Sequence, residues 1–305
     1  MSVSQEPSAV ADVTFAIAPR TPEHKAALER LFERVSELSA LPGVAQRVLN
    51  VTNDATADAE DLLHVVEQDP TLVMRILRTV NSPYCGLRSE VADLRSALAV
   101  LGFKKVRSLA LTVYVARLLD GQPGYLGYSR ENLWRHLVTV GEIARVISRV
   151  CNRAVPDEAY LAGLLHDLGY LLADQYMHSC WRRVLEAAAD DVPLETAERD
   201  VLTFNCADLS AFMATKCCLP SRTALAIAYH RVPDRFLGRD RELLNVLAAA
   251  NFVAESRGVT AIGRPTAPTL PDDVARGLGL RGGQLAELLV EIEPALEAAE
   301  ALAGI

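Results

Sequence analysis

The amino-acid sequence predicts an all-α protein made of two helical lobes. Apolar residues recur three and four positions apart, the spacing of one helical face, through most of the 305 residues. Alternation of apolar and polar residues, which marks a half-buried strand, is almost absent. Helix-start signals, in which a capping residue precedes a proline or an acidic first turn, recur along the chain. These observations favour packed helices over any arrangement that needs a sheet.

The first lobe is expected to span residues 21–120, behind a flexible tail of residues 1–20 that is rich in Ser, Ala, Val and Pro. Its helices are predicted to begin at capping or proline signals. These signals are Thr21-Pro22, Leu41-Pro42, Asp58, Asp69-Pro70 and Asp93. The last helix of this lobe is predicted from Lys104 to Leu119, since turn formers interrupt the apolar pattern before it.

The second lobe is expected to span residues 121–257 and to begin with the Gly- and Pro-containing segment 121–127. Apolar periodicity predicts a series of longer helices in it. Their approximate bounds are 130–151, 156–176, 180–188, 194–202, 209–218, 221–230 and 241–257. Residues 258–305 are expected to form a loop and a C-terminal amphipathic helix at 285–302. That helix either packs on its own core or pairs with a second copy in a homodimer.

Charge and composition argue against several classes of function. The chain holds 31 Lys and Arg against 39 Asp and Glu, a net charge of −8, so a nucleic-acid partner is not expected. No apolar run reaches the roughly 18 residues that a membrane span needs, and the N-terminus lacks the pattern of a signal peptide. The six cysteines include no C-x-x-C pair, which indicates reduced thiols and a cytoplasmic protein.

The residues best suited to bind a metal are His166 and Asp167, in the motif at 163–169. A histidine nitrogen and a carboxylate oxygen together suit divalent ions such as Fe, Mn, Ni, Zn or Mg. The candidate third ligand is His136, on the preceding predicted helix, because two antiparallel helices joined by a short turn would bring it close. His136 could equally be a core histidine with a satisfied hydrogen bond.

These motifs resemble those of two related groups of proteins. Trp134-x-His136 and His166-Asp167-x-Gly169 are similar to the HD superfamily of metal-dependent phosphohydrolases. The N-terminal half resembles HDOD domains, a divergent branch of that superfamily found in bacterial signalling proteins. The matching residues are Leu41-Pro42, Asp69-Pro70 with Leu72, Arg75 and Leu77, Asn81-Ser82-x-Tyr84-x-Gly86, and Ala97-Leu98-x-x-Leu101-Gly102. The resemblance, from about residue 39 to 256, implies an N-terminal helical bundle followed by an HD-like helical domain.

The resemblance also implies where a metal site lies and how it departs from the catalytic pattern. His136, His166 and Asp167 match the first three members of an H…HD…D ligand set. The position of the closing Asp holds Asn251, whose neutral amide is a weaker ligand than a carboxylate. Tyr170 stands where the related HD-GYP phosphodiesterases usually have a Lys. We therefore expect a degenerate metal site and assign no catalytic residue.

Four further residues are candidates for binding a ligand or a partner. Asn81, Ser82 and Tyr84 form a polar segment where the two lobes could meet, although turn chemistry alone also explains the first two. His230 matches a histidine position seen in many HDOD sequences. Its alternative role is that of a histidine at a helix C-terminus, stabilised by the helix dipole.

Two functions follow from these expectations. The first is a bacterial signal-transduction or regulatory module that binds a protein or small ligand without catalysis and needs no cofactor. Its partners would be signalling proteins in trans, with cyclic-dinucleotide pathways among the candidates. The second is a metal-dependent phosphohydrolase acting on nucleotides or cyclic dinucleotides, in which an additional carboxylate such as Asp174 or Glu142 completes the ligand set.

Overall fold

Helices dominate the computed structural model over the residues that it describes. These are Arg47, Val48, Val51 and residues 58–82, 84–121, 123–189, 192–216, 219–264, 269–280 and 282–304. Within them no strand occurs, and a single isolated bridge joins Tyr125 and Tyr128. The prediction of an all-α fold is confirmed. The expected tail and the helix starts at Thr21 and Leu41 lie outside the described residues.

Fourteen α-helices lie within the described residues. They are α1 (Ala59–Val66), α2 (Pro70–Val80), α3 (Leu94–Leu101), α4 (Phe103–Leu119), α5 (Arg130–Cys151), α6 (Pro156–Leu165), α7 (Leu168–Tyr176), α8 (His178–Ala189), α9 (Leu194–Val201), α10 (Cys206–Lys216), α11 (Ser221–Tyr229), α12 (Glu242–Ser256), α13 (Asp272–Leu278) and α14 (Gly282–Ala303). A short 3₁₀ helix, Pro233–Arg235, lies between α11 and α12.

Three predicted caps form as the sequence indicates. The Asp58 carboxylate accepts from the backbone N–H groups of residues 60 and 61, and the Asp61 side chain completes a capping box. Asp69 caps α2 ahead of Pro70, and Asp93 caps α3. Each cap satisfies backbone donors that the first helical turn leaves free, so the starts of these helices are set locally.

The sequence-based bounds fail in two places. The helix predicted over 156–176 is two helices, because the chain leaves regular helix at His166 and Asp167, and Asp167 has φ −114° and ψ 14°. The change in chain direction at this break lets α7 pack against α10. The second difference is α13, which was not predicted although Pro271 and two aspartates open it.

Helix α5 is the centre of the second half of the fold, and it packs against α6, α12 and α14. It crosses α6 at two glycines, since a Cβ added at Gly163 would lie 2.6 Å from the Cα of Gly141. The backbones therefore meet directly, and this contact fixes how closely the residues flanking the crossing approach one another.

Helix α14 packs on the same molecule, along α5. Its buried side chains are Leu288, Ile292, Ala295, Ala299 and Leu302. Ion pairs flank this contact, with Glu300 at 2.6 Å from Arg135 and Glu293 at 2.6 Å from Arg257. Of the two arrangements expected for the C-terminal helix, packing on its own core is the one observed.

None of the described helices combines the length and the apolar character needed to cross a membrane.

The described first-lobe helices, α1 to α4, pack on one another, and α4 also contacts α5 and α6. The division of the chain after residues 20, 120 and 257 stays a prediction.

Candidate functional site

The three predicted metal ligands lie together in the interior. His136 projects from α5, and His166 and Asp167 occupy the break between α6 and α7. The Nε2 atoms of the two histidines are 3.1 Å apart, and Asp167 Oδ2 lies 3.5 Å from the first and 3.4 Å from the second. All three side chains are at most 1% exposed. The crossing of α5 and α6 at their glycines holds the two histidines at this separation.

These separations fit a single divalent ion. Ligand atoms about 2.1 Å from an ion are roughly 3.0 Å apart at adjacent octahedral positions and roughly 3.4 Å apart at tetrahedral ones. The observed values of 3.1 to 3.5 Å span that range. Among the described residues, His136, His166 and Asp167 are the only group of three or more His, Cys, Asp or Glu able to surround one ion.

The tautomers of both histidines also suit a metal. His136 Nδ1 lies 2.9 Å from the Val259 carbonyl oxygen, and His166 Nδ1 lies 2.7 Å from that of Gly163. A carbonyl only accepts, so each Nδ1 carries the hydrogen and each Nε2 of a neutral ring presents a lone pair. Burial lowers the pKa of His166 to about 4, which keeps that ring neutral at pH 7. Two facing lone pairs are stabilised by a cation between them.

Arg231 holds the other oxygen of Asp167. Its Nη2 donates to Asp167 Oδ1 at 2.8 Å and also bonds the Tyr170 hydroxyl, and its Nε lies 3.3 Å from His230 Nε2. Burial alone would raise the pKa of Asp167, but Arg231 and His166 outweigh it and hold that pKa well below its usual range. The aspartate is therefore an anion shared between the histidine pair and a guanidinium.

Glu198, on α9, lies behind Arg231 and is fully buried. Its Oε1 is 3.8 Å from Arg231 Nη1, and its Oε2 accepts from the backbone N–H of Cys206 at 3.4 Å. Burial raises the pKa of Glu198 to about 7, although Arg231 opposes the shift. Neither Arg231 nor Glu198 is predicted from the sequence to belong to this site. Arg231 could have been suspected because it follows His230, whereas nothing local marks Glu198.

The raised pKa of Glu198 predicts a pH-dependent difference between the native protein and Glu198→Gln. The folded state binds an extra proton between about pH 4.5 and 7, so ionisation of Glu198 lowers the free energy of unfolding as pH rises through that window. The Gln variant loses this slope. We expect its unfolding free energy, measured in urea, to rise relative to the native value by about 3 kcal/mol from pH 4.5 to 8. Parallel pH profiles for the two proteins would contradict the assignment.

A cavity of about 660 Å³ lies beside this cluster. Asp167, Tyr170, His230 and Arg231 form one wall of it. Other side chains from α9, α12 and the loops around them complete the lining, and they are Pro193, Leu194, Glu195, Pro233, Asp234, Ala248, Asn251, Phe252, Glu255, Thr260, Ala261, Ile262, Thr269 and Pro271. The segment after residue 257 therefore contributes to the site, through the Val259 carbonyl and the residues that follow it.

Asn251, at the position where the resemblance places a fourth ligand, lines this cavity. Its Nδ2 donates to Glu255 Oε1 at 3.3 Å, which directs the amide oxygen elsewhere. That oxygen and the Thr260 hydroxyl are buried and have no hydrogen-bond partner among the described residues. A residue with an unbonded neutral oxygen thus lines the same cavity as Asp167.

His230 lies at the end of a helix and beside the candidate ligands, and its role in binding stays a prediction. It ends α11, with Nδ1 2.7 Å from the Ile227 carbonyl oxygen. Its ring also meets that of His166 edge to face at 4.8 Å, and its Nε2 lies 3.6 Å from Asp167 Oδ1. The structure therefore brings His230 into the site.

Asn81 and Ser82 make local contacts away from the cavity. The Asn81 amide donates to the Val91 carbonyl at 2.9 Å and accepts from the Val91 N–H at 2.8 Å, which closes the loop between α2 and α3. The Ser82 hydroxyl donates to the Thr79 carbonyl at 2.6 Å. These bonds satisfy both side chains and agree with the turn chemistry expected from the sequence.

Tyr84 lies in a separate polar cluster where α4 meets α5. Its hydroxyl donates to Glu142 at 2.7 Å and accepts from Lys105 at 2.6 Å. Glu142 is thereby held at this junction, and Asp174 is held by Arg130 at 2.9 Å. Neither of these two carboxylates belongs to the candidate metal group among the described residues.

Comparison with known proteins places these observations in a family. The model of the HDOD domain matches residues 38–233, well over half of the chain. That match ends before α12, so Asn251 and Thr260 lie beyond it. An uncharacterized protein of Treponema pallidum (strain Nichols) is 21% identical over 222 residues, which are 72% of this chain. The present chain spans only 42% of that relative's length.

Solved structures share the fold. A presumed signal transduction protein from Marinobacter aquaeolei VT8 is 24% identical, with a TM-score of 0.73, and the alignment covers 99% of this chain and 67% of that one. A presumed phosphohydrolase from Shewanella amazonensis SB2B is 22% identical, with a TM-score of 0.70, over 89% of this chain and 97% of that one. An HDOD domain protein from Geobacter sulfurreducens is 21% identical, with a TM-score of 0.69, over 86% and 92%. Since the HDOD domain model matches residues 38–233, the chain belongs to the HDOD domain family.

Proposed function

We propose that this protein is a regulatory module of bacterial signal transduction, located in the cytoplasm, that acts by binding at the cavity beside Arg231 and does not hydrolyse a phosphate ester. The observation that carries the proposal is the Arg231 contact set. Its guanidinium is already engaged by Asp167 and Tyr170, with Glu198 behind it. A phosphate would find the Nη2 group already bonded to both Asp167 and Tyr170, and catalysis does not follow from the fold alone.

The three-residue ligand set supports a bound ion without requiring turnover. His136, His166 and Asp167 would hold a divalent ion, and such an ion lowers the pKa of a water bound to it. The set supplies one negative charge, and that charge is shared with Arg231. An amide stands at the expected fourth position. We infer that an ion here stabilises the junction of α5, α6 and α7 and shapes the cavity wall.

The second candidate is a metal-dependent phosphohydrolase. The close approach of the two Nε2 atoms, at 3.1 Å, keeps this candidate open, because the geometry suits a catalytic ion as well as a structural one. The two candidates differ in whether the cavity turns over a substrate.

A turnover assay separates them. Purified protein loaded with Mn, Fe, Ni, Zn or Mg would be incubated with nucleotides and cyclic dinucleotides, and the products separated by chromatography. We expect no hydrolysis above that of the matched His166→Ala variant. Metal-dependent hydrolysis that His166→Ala abolishes would establish the phosphohydrolase instead.

A cavity-filling variant tests the regulatory role. Thr269 is exposed at the cavity, so Thr269→Trp is expected to fill the space without disturbing the core, and Thr269→Ser is the matched control. In capture experiments from the native host, we expect the Trp variant to lose signalling partners that the native protein and the Ser variant retain. Identical partner sets for all three would contradict action through the cavity.

A further inference from the structure

We propose that His178 is a phosphorylation site, at which the imidazole Nε2 accepts a phosphoryl group from a small acyl phosphate. The site lies outside the candidate metal group and outside the cavity beside Arg231, so it goes beyond the proposed function and does not depend on it. A cluster of four side chains carries the inference, where α5, α7 and α8 meet. Its members are Tyr125, Arg130, Asp174 and His178.

The Asp174 carboxylate sets the tautomer of the His178 ring. His178 Nδ1 lies 3.2 Å from Asp174 Oδ1 and 3.3 Å from the Tyr125 hydroxyl oxygen. The single hydrogen of that hydroxyl goes to Asp174 Oδ1, at 2.6 Å, so both neighbours of Nδ1 can only accept from it. Nδ1 therefore carries the hydrogen, and Nε2 of the neutral ring presents its lone pair on the opposite side.

The cluster is fixed on the side of the protein and open toward solvent. Asp174 is 6% exposed, and Arg130 holds its other oxygen through Nε at 3.0 Å and Nη2 at 2.9 Å. The Tyr125 ring packs 5.0 Å from that of His178. Burial and the bond to Asp174 raise the pKa of Tyr125, so its hydroxyl keeps the hydrogen that it donates. The His178 side chain is 57% exposed, and because its Nδ1 edge is bonded, the open edge is that of Nε2.

The other described histidines lack this combination. His136, His166 and His230 are at most 3% exposed, so a reagent in solution does not reach them. His64 is exposed, but among the described residues no carboxylate contacts its ring. A nucleophile that is both accessible and oriented by a partner behind it is the arrangement by which side chains are activated for group transfer. His178 meets both conditions.

The transfer is a displacement at phosphorus. The Nε2 lone pair forms the N–P bond, the P–O bond to the acyl group breaks, and the electron pair of that bond leaves with the released carboxylate. No proton has to be removed from Nε2. The phosphorylated ring is an imidazolium, whose charge faces the Asp174 carboxylate across the Nδ1 hydrogen bond. Asp174 is therefore a positioning residue that also stabilises the product.

Arg182 is placed to meet the phosphoryl oxygens. It follows His178 by one helical turn on α8, so the two side chains share a face of that helix. Arg182 Nε is bonded to Glu186 at 3.1 Å, in a pair whose side chains are 58% and 50% exposed. A pair this exposed contributes little stability, and the guanidinium has further N–H groups to donate. The dipole of α8, which begins at His178, adds to the stabilisation of an anion there.

Labelling of the purified full chain with acetyl phosphate tests the proposal within one molecule. After incubation at neutral pH, tandem mass spectrometry without acid locates the phosphoryl group, and phosphorus NMR identifies the nitrogen that carries it. We expect labelling of His178 at Nε2, at a rate at least about tenfold above that of His64. Equal rates for the two histidines, labelling at Nδ1, or no phosphohistidine at all would overturn the proposal.

His178→Gln and His64→Gln are the matched pair of variants, since both side chains are exposed and neither substitution disturbs the core. We expect the first variant to abolish the phosphohistidine signal and the second to leave it at the native level. A signal that survives in His178→Gln would place the phosphoryl group on another residue and overturn the assignment.

Asp174→Asn tests the positioning role with a readout that a loss of stability alone does not change. An amide can donate or accept toward Nδ1, so nitrogen NMR is expected to show two His178 tautomers in this variant and one in the native protein. The rate of His178 labelling, relative to that of His64 in the same molecule, is expected to fall by about tenfold. A single tautomer together with an unchanged ratio of rates would overturn the role of Asp174.

Discussion

Gly169→Ala is expected to be among the most damaging single substitutions in this chain, with a loss of about 3 kcal/mol or more in the free energy of unfolding. A Cβ at this position would collide with the carbonyl oxygen of Cys206, at the contact between α7 and α10. This oxygen belongs to the backbone of a helix, which cannot move aside as the end of a flexible side chain can. The Gly169 N–H also donates to Ser210 Oγ at 2.7 Å, and that hydroxyl lies 3.1 Å from the same carbonyl. Separating the helices would break the bond from Gly169 to Ser210 and displace Asp167, two residues earlier.

Urea denaturation of Gly169→Ala beside Gly279→Ala checks this prediction. Gly279 has φ +75° and no atom within 4 Å of an added Cβ, so its substitution costs only the left-handed conformation, about 1–2 kcal/mol. We expect the Gly169 variant to lose clearly more stability than the control, together with any bound ion. Equal losses in the two variants would show that α7 and α10 adjust freely.

Asp167→Asn is expected to abolish the uptake of a divalent ion and to remove much of the stability of the site. The substitution keeps the shape of the side chain but deletes the anion shared by the histidine pair and Arg231. It leaves a mostly buried guanidinium facing a neutral amide, and breaking a buried ion pair in this way costs about 3–5 kcal/mol. Ion occupancy, measured by elemental analysis after loading, should fall more than about tenfold, because the amide is a weaker ligand.

Asp174→Asn is the matched control for that experiment. Asp174 is 6% exposed and pairs with Arg130 at 2.9 Å, so its loss also breaks a buried ion pair. Its variant is expected to lose comparable stability in urea while retaining its metal. If both variants lose metal equally, ion loss reflects general unfolding and the ligand assignment is wrong. A native protein that takes up no divalent ion on loading would contradict the ligand assignment directly.

The parts of the fold that the sequence predicts are those determined by neighbouring residues. Asp58, Asp69 and Asp93 cap their helices through bonds that reach two or three residues along the chain, so the capping signals suffice. The meeting of His136 with His166 was also predictable, because a short turn between two long helices leaves few alternatives to an antiparallel pair.

The parts of the fold and of the site that the sequence does not predict depend on contacts between distant parts of the chain. The break at His166 and Asp167 follows from the packing of α7 on α10, and local propensity favours a continuous helix there. Glu198, Arg231 and the Val259 carbonyl reach the site from three separate elements. Nothing in the spacing of these residues along the chain encodes their convergence on the site.

The glycine crossing of α5 and α6 has a consequence for metal selectivity. Gly141 lies five residues from His136, and Gly163 lies three residues from His166, so the gap between the two imidazoles is set by backbones in contact. A gap set in this way cannot widen to hold a larger ion. An ion with bonds of about 2.0–2.2 Å fits it, while Ca²⁺, with bonds of about 2.3–2.6 Å, needs a looser cage and oxygen ligands. For an ion bound by His136, His166 and Asp167, we therefore expect the two glycines to select by ionic radius, before ligand chemistry adds its own preference.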